Sequence, residues 1–493
     1  MGARENASGR ERPRFRPWDG VGLRTAFELA SKTFPWTAGY RSLDRERVEG
    51  TAEVSGKWPE SLRGNLYRNG PARHERGGLR YGHRWDGDGL LQRFSLAPEG
   101  VNHLGRYVET AKYQTDSARG QLATSGFGTK VPGSEILQGS VDDANAANIN
   151  VVEFAGELLA LWEAGSAYRV DPSTLATLGP KTWSDISRGK PFSAHPRIDR
   201  DGTMWNFGVD PLADELLLYR IGGDGRLTDF RSIPVDRLAP MHDFGITERY
   251  LVFLLPSLTL NRERLDAGTS FAEACQWSPE LGMRVLVVHK NDWSTSWFTL
   301  PPGCLFHVAN AWEDCGGEIT VEYMRSDDPM SLLAGWSVMR GEYQHQAGAR
   351  LSSASIDPTT GKVTQSVLDD VDAEFPVVEP AAVGRQHDRL LYLERSPDRP
   401  ARLPGFDRVA LRQATGEVRR FKYGDDWLVE EHVFAGVRGD PASRWILGTA
   451  LDLREDETVL SVFDVHGVAD GPIAQARLPY SVPLGLHGSY VAG

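Results

Sequence analysis

The 493 residues are 40% apolar and 25% charged, an ordinary globular balance that excludes a disordered or fibrous chain. Lys and Arg number 55 against 67 Asp and Glu, and the resulting charge of −12 argues against a nucleic-acid partner, which needs a basic face to displace counterions from phosphates. Three cysteines (Cys275, Cys304, Cys315) with no CxxC exclude a disulfide framework and suit a reducing, cytoplasmic compartment.

Residues 1–16 carry five Arg without periodicity and read as a tail, with no apolar stretch of the kind a secretory signal needs. Residues 17–40 mix Trp18, Leu23, Phe27, Leu29, Phe34 and Trp36 with Arg24 and Lys32. An amphipathic segment of this kind either touches a membrane surface or packs on the core as a lid, and the lid is the favoured reading. Residues 1–49 are therefore expected to be tail and lid, and 50–493 a single domain.

From about residue 50 the pattern is β. Apolar runs recur as ELLALW (157–162), YLVFLL (250–255), RVLVVH (284–289), RLLYL (389–393) and TVLSVF (458–463). Turn sequences separate them: DRDG (199–202), GGDG (222–225), DPTTG (357–361) and ATGE (414–417). VDPSTL (170–175) and IDPTTG (356–361) echo each other, each after an expected strand. Short strands over more than 400 residues, with almost no helical periodicity, predict an all-β sandwich array or a propeller, and repeated hairpins in so long a chain favour the propeller. No apolar run approaches the roughly 18 residues of a spanning helix, because Pro256 breaks the longest, so a soluble chain is expected.

Four of the 12 histidines stand in unusual surroundings: His195, His242, His307 and His487, separated in turn by 47, 65 and 180 residues. No pair shares a helical metal motif. In a propeller, distant residues meet where the inner strands approach the axis, and a set of neutral imidazoles suits a redox-active borderline metal. For any one histidine alone, a hydrogen-bonded structural role is the ordinary one. DGDG (86–89) resembles a piece of a calcium loop but lacks its later ligands, so it reads as a tight turn, with His74 and His83 structural beside it.

In chain order, LRGNLYRNGP (62–71), HRWDGDGLLQRF (83–94), LLALWEAG (158–165), AHPRID (194–199), MHDFGIT (241–247), FHVANAWE (306–313), EFP (374–376) and LHG (486–488) resemble the motifs of the carotenoid cleavage oxygenases. The resemblance covers roughly residues 50–490. It implies a seven-bladed β-propeller, capped by loops and short helices, with His195, His242, His307 and His487 converging on the axis to hold Fe(II). It implies further that Glu163, Glu374 and Glu431 accept hydrogen bonds from three of the rings, orienting them and raising their basicity. Glu431 is the weakest match, because Glu430 adjoins it and His432 stands where the family has Pro. Ile149, in ANIN (147–150), occupies a position near the metal where many members have Thr.

Oxidative cleavage of a C=C bond in a carotenoid or apocarotenoid, with O2 as co-substrate and two carbonyl products, is the activity this resemblance implies. Trp162, Phe306 and Phe375 adjoin motif residues and read either as walls of an apolar tunnel or as plain core aromatics. Cleavage of a stilbenoid or phenylpropenoid is the alternative. Relatives of that kind place Lys before the glutamate to engage a phenol oxygen, whereas this chain has Trp162, and FGTKVPG (127–133) is similar to the apocarotenoid cleavers. A metal-free interaction platform would require seven site residues kept without use. An apolar polyene and O2 are thus the expected partners, with peripheral membrane contact as the route of delivery.

Overall fold

The apolar runs become strands because each is covered on both faces. In Tyr250–Leu255, residues Leu251, Phe253 and Leu255 pack against Trp205, Phe207 and Leu218 on one side. Val252 and Leu254 pack against Val321 and Tyr323 on the other. A strand between two apolar layers has no polar face, so its sequence reads as a continuous run rather than an alternation. Each such side chain contributes about 1.5–3 kcal/mol by leaving water.

The computed structural model describes residues 18–134, 140–346, 348–440 and 442–493. The expected runs lie in the strands Glu157–Leu161, Tyr250–Leu255, Met283–His289, Arg389–Glu394 and Glu457–Asp464. The two echoing segments make the same turn. Asp171 Oδ1 accepts from the backbone N–H of Ser173 and Thr174 at 2.9 and 2.8 Å, and Asp357 Oδ1 from those of Thr359 and Thr360 at 2.8 and 3.1 Å.

Antiparallel strands form five separate four-stranded sheets, arranged as an all-β propeller. Seven separate sheets are not what is observed. The remaining large sheet has nine strands, ordered Trp427–Gly436, Ser443–Asp452, Glu457–Asp464, Ala474–Arg477, Arg47–Gly56, Gly100–Tyr107, Asp88–Ala97, Gly64–Arg73 and Gly488–Ala492. Its continuity comes from one long strand. Arg47–Ala52 pairs with Val101–Arg106, while Glu53–Gly56 pairs with Ala474–Arg477.

Helix is more frequent than the sequence pattern suggests. Gly20–Ser31, Ala111–Arg119 and Met330–Met339 are α-helical. The last is apolar nearly all round in sequence and so shows no 3.6-residue signature. Residues 18–40 pack on the rest of the protein: Phe27, Trp36 and Tyr40 share a buried cluster with Val338, Met339, Leu428 and Leu451. Buried Arg80 clamps it, with its guanidinium 3.4 Å over the Phe27 ring and hydrogen bonds to Tyr40 O and Met339 O. The tail expected over residues 1–16 lies outside the described residues. Among the described residues, no helix is long and apolar enough to cross a membrane.

Candidate metal centre

Edge strands deliver the site. Each four-stranded sheet has its first strand at one edge, and the nine-stranded sheet ends in Trp427–Gly436 and Gly488–Ala492. On or just before these edges stand Ile149, His195, His242, His307, Glu374, Glu431 and His487. Glu163 follows the strand Glu157–Leu161.

The four histidines converge. One ring nitrogen from each lies within 4.8 Å of the others. His195 Nε2 is 2.9 Å from His242 Nε2, and His307 Nε2 is 3.2 Å from His487 Nε2. The opposite nitrogens of three rings meet carboxylates: His242 Nδ1 pairs with Glu163, His307 Nδ1 with Glu374, and His487 Nδ1 with Glu431 Oε1 at 2.8 Å. With the Nδ1–H groups donating to carboxylates, the Nε2 atoms carry lone pairs. His307 and His487 then point lone pair at lone pair, an arrangement that a shared cation relieves. Two nitrogens about 2.1 Å from one ion and at right angles stand about 3.0 Å apart, which the observed separations match. The donor set therefore fits a borderline divalent ion.

Electrostatics separate the rings. Burial holds His195 and His242 well below the usual imidazole range, and the charge of neighbouring rings pushes both the same way. Burial also pulls on His307, but the charge and hydrogen bond of Glu374 outweigh it and carry that ring upward. Burial raises Glu431, yet His487 and Arg68 bring it below the ordinary carboxylate value. Glu431 also accepts from Gly488 N–H at 2.8 Å. Glu430 instead accepts from Gly485 N–H and lies beside buried Arg68, which resolves the ambiguity between the two adjacent acids.

A cavity of about 970 Å³ is lined by His242, His307 and His487, and Trp162, Phe306, Phe375 and Ile149 all line it as well. Phe375 packs 5.3 Å from both His307 and His487, at a backbone φ of 57° where the strand bulges. Phe306 meets His242 edge-on at 5.7 Å and Trp85 at 5.2 Å. Ile149 is buried, and its carbonyl accepts from His487 N–H at 3.3 Å.

Two positioning groups are not legible in the sequence pattern. Arg197 donates to both carboxylate oxygens of Asp243 at 2.8 Å and to Phe244 O and Val308 O, while Asp243 Oδ2 accepts from Val308 N–H at 2.8 Å. This knot ties together the segments bearing His195, His242 and His307. Arg68 performs a similar task for His487, donating to Glu431 O at 2.8 Å and to Leu486 O at 3.4 Å. The available signal is a charge one or two residues from a ligand within AHPRID and MHDFGIT.

Residues 40–492 match the family model described as retinal pigment epithelial membrane protein. The chain belongs to this family, the carotenoid cleavage oxygenases. This oxygenase is 29% identical to apocarotenoid-15,15'-oxygenase of Synechocystis over 474 residues, which span 92% of this chain and 96% of the relative. It is 27% identical to lignostilbene-alpha,beta-dioxygenase isozyme III of Sphingomonas paucimobilis, over 93% of this chain and 97% of the relative. The crystal structure of a cobalt-substituted apocarotenoid oxygenase of Synechocystis superposes on the oxygenase with a TM-score of 0.83 at 26% identity, covering 93% of this chain and 98% of the other.

Proposed function

We propose that this chain holds Fe(II) on His195, His242, His307 and His487 and cleaves a C=C bond of a carotenoid or apocarotenoid with O2. Each alkene carbon takes one oxygen atom of O2, so two carbonyl products account for every atom and no further reductant is needed. The observation that carries this reading is four ring nitrogens gathered within 4.8 Å of one another beside an apolar cavity that His242, His307 and His487 line. A bound Fe(II) supplies the O2 chemistry.

Glu163, Glu374 and Glu431 orient three rings and keep each Nδ1 proton in place. Phe306 and Phe375 wall the cavity beside the rings, fix the polyene over them and exclude water. Ile149 closes part of the space next to His487 without offering a hydroxyl. Trp162 presents an apolar face beside Glu163, which favours a polyene over a phenol.

The two ends of the nine-stranded sheet both carry site residues, Glu431 on one and His487 beside the other. We therefore count that sheet as two blades sharing Arg47–Gly56, making seven with the five separate sheets. The lid shares a core with Leu428 and Leu451, so we treat residues 18–493 as one working unit. Val21 and Leu29 stand 60% and 67% exposed on it and form the proposed contact with a membrane surface. Cys275, Cys304 and Cys315 are all free, which supports a reducing, cytoplasmic setting.

The second reading, cleavage of a stilbenoid, draws on the lignostilbene-cleaving relative. One experiment separates the two. Iron-reconstituted protein is offered a panel of apocarotenals and hydroxystilbenes in air, and the products are identified by mass. Apocarotenals are expected to give the larger kcat/KM, and faster turnover of hydroxystilbenes would overturn the substrate class while leaving the metal site intact.

A further inference from the structure

The cavity wall carries a second group of polar side chains that the chemistry at the four rings does not use. Tyr343, His345 and Asp372 line it. The Tyr343 hydroxyl and His345 Nδ1 share a hydrogen bond of 3.3 Å, and His345 Nε2 lies 3.3 Å from Asp372 Oδ2. The backbone holds the group in place: His345 N–H donates to Ala401 O at 2.6 Å, and Asp372 O accepts from Arg395 N–H at 2.8 Å. Asp372 precedes Glu374 by two residues, a separation of about 7 Å in extended chain.

Two observations make this a site rather than incidental polarity. Gly348 leaves room for the carboxyl, because a β-carbon there would lie 1.7 Å from Asp372 Oδ1. A carboxyl turned into an apolar tunnel costs stability unless something uses it. The nearby cation is also committed: the Arg395 guanidinium donates to the carbonyls of Leu403, Gly405, Arg399 and Pro400.

The side chains of His345 and Asp372 remain 26% and 19% exposed, open enough to meet a ligand. Burial pushes Asp372 up to about 7, with Arg395 opposing and Glu374 adding to the rise. Burial and Arg395 pull His345 down to about 4. Near pH 7 His345 is therefore neutral and Asp372 about half protonated, so the group offers both donors and acceptors.

We propose that Tyr343, His345 and Asp372 recognise an uncharged terminal oxygen, the aldehyde or hydroxyl end of an apocarotenoid. The inference rests on reading the cavity as a polyene tunnel. A carboxylate end is the alternative that the acid probe tests, since Arg395 is spent on carbonyls but Arg84 and Arg402 also stand on the wall.

Binding is measured on the full-length, iron-loaded protein without oxygen, by quenching of tryptophan fluorescence. The probes are an apocarotenal, the matching alcohol, the matching acid and a hydrocarbon polyene of equal length. The aldehyde and the alcohol are expected to bind about 3- to 10-fold more tightly than the hydrocarbon, the worth of one hydrogen bond. Asp372→Leu and His345→Leu should erase that preference while leaving hydrocarbon affinity within about twofold, since only the polar partner is lost. Tyr343→Phe, which keeps the ring and its volume, should reduce the preference in part and serves if the Leu variants do not fold.

Equal wild-type affinity for aldehyde and hydrocarbon overturns the proposal. So does an equal loss for all probes in every variant, or tightest binding of the acid. Because no turnover is involved, a protein that shows the preference yet cleaves nothing in air refutes the proposed activity and upholds this recognition site.

Discussion

His195, His242 and His307 reach the cluster by a different route from His487. The first three stand on sheets whose strands follow one another closely in the chain. His487 adjoins Gly488–Ala492, which pairs with Gly64–Arg73, roughly 420 residues earlier. Closing so long a loop costs configurational entropy before any contact repays it. A cation shared by all four rings therefore couples three locally built sheets to the ring's closure, and metal affinity becomes a measure of whether that closure has formed.

Removing residues 486–493 tests the coupling most severely. It deletes the fourth ligand and an outer strand of the nine-stranded sheet together. Loss of iron and of a single cooperative melting transition is expected, read by metal analysis and calorimetry. A truncated protein that still binds one iron and melts in one step would show that closure and metal are independent.

Point changes sharpen the contrast. His242→Ala and His487→Ala should each abolish iron binding and turnover, but their metal-free forms should differ in stability. Losing His487 strands Glu431 among buried groups, whereas Glu163 is 31% exposed and regains water. Denaturant titration should find metal-free His487→Ala less stable than His242→Ala by about 2 kcal/mol. Equal stabilities would remove the distinction.

The carboxylates extend the same comparison with a smaller effect. Glu163→Gln and Glu431→Gln should weaken iron binding by about 10- to 100-fold, with Glu431 toward the upper end because it also holds Gly488 N–H. Competition with a chelator measures both. A Glu163→Gln protein with wild-type affinity would take that residue out of the site.

The smallest expected effect is on pH. His195 and His242 are held below 6.5 when folded, so between the two values the unfolded chain binds more protons. Stability of the metal-free protein should accordingly rise with pH through that window and be lost as pH falls below about 6.5. Melting temperatures at a series of pH values check the sign, and a flat profile would mean that the rings do not gather without metal.

The four converging histidines, with Glu163 and Glu374, were legible because each sits in a short, distinctive motif, whereas Glu431 was hard to tell from the adjacent Glu430 until the fold set it beside His487. Strands were legible where both faces are covered, as in Tyr250–Leu255. What escaped notice depends on contacts between distant segments. The double pairing of Arg47–Gly56 leaves no mark on that strand's own pattern. Arg197 and Asp243 look like any charges until the fold sets them 2.8 Å apart. Met330–Met339 was missed because a helix apolar nearly all round resembles a buried strand in sequence.

The spread of the ligands along the chain also has a consequence in time. About 290 residues separate His195 from His487. At ribosomal rates of about 5–20 residues per second, roughly 15–60 s pass between synthesis of the first ligand and the last. Throughout that interval the nascent chain holds an incomplete set of imidazoles, and zinc or copper, which rank above iron in affinity for such donors, compete for them. For the iron proposed above, selection over these competitors therefore falls to the finished ring, after translation has passed residue 487.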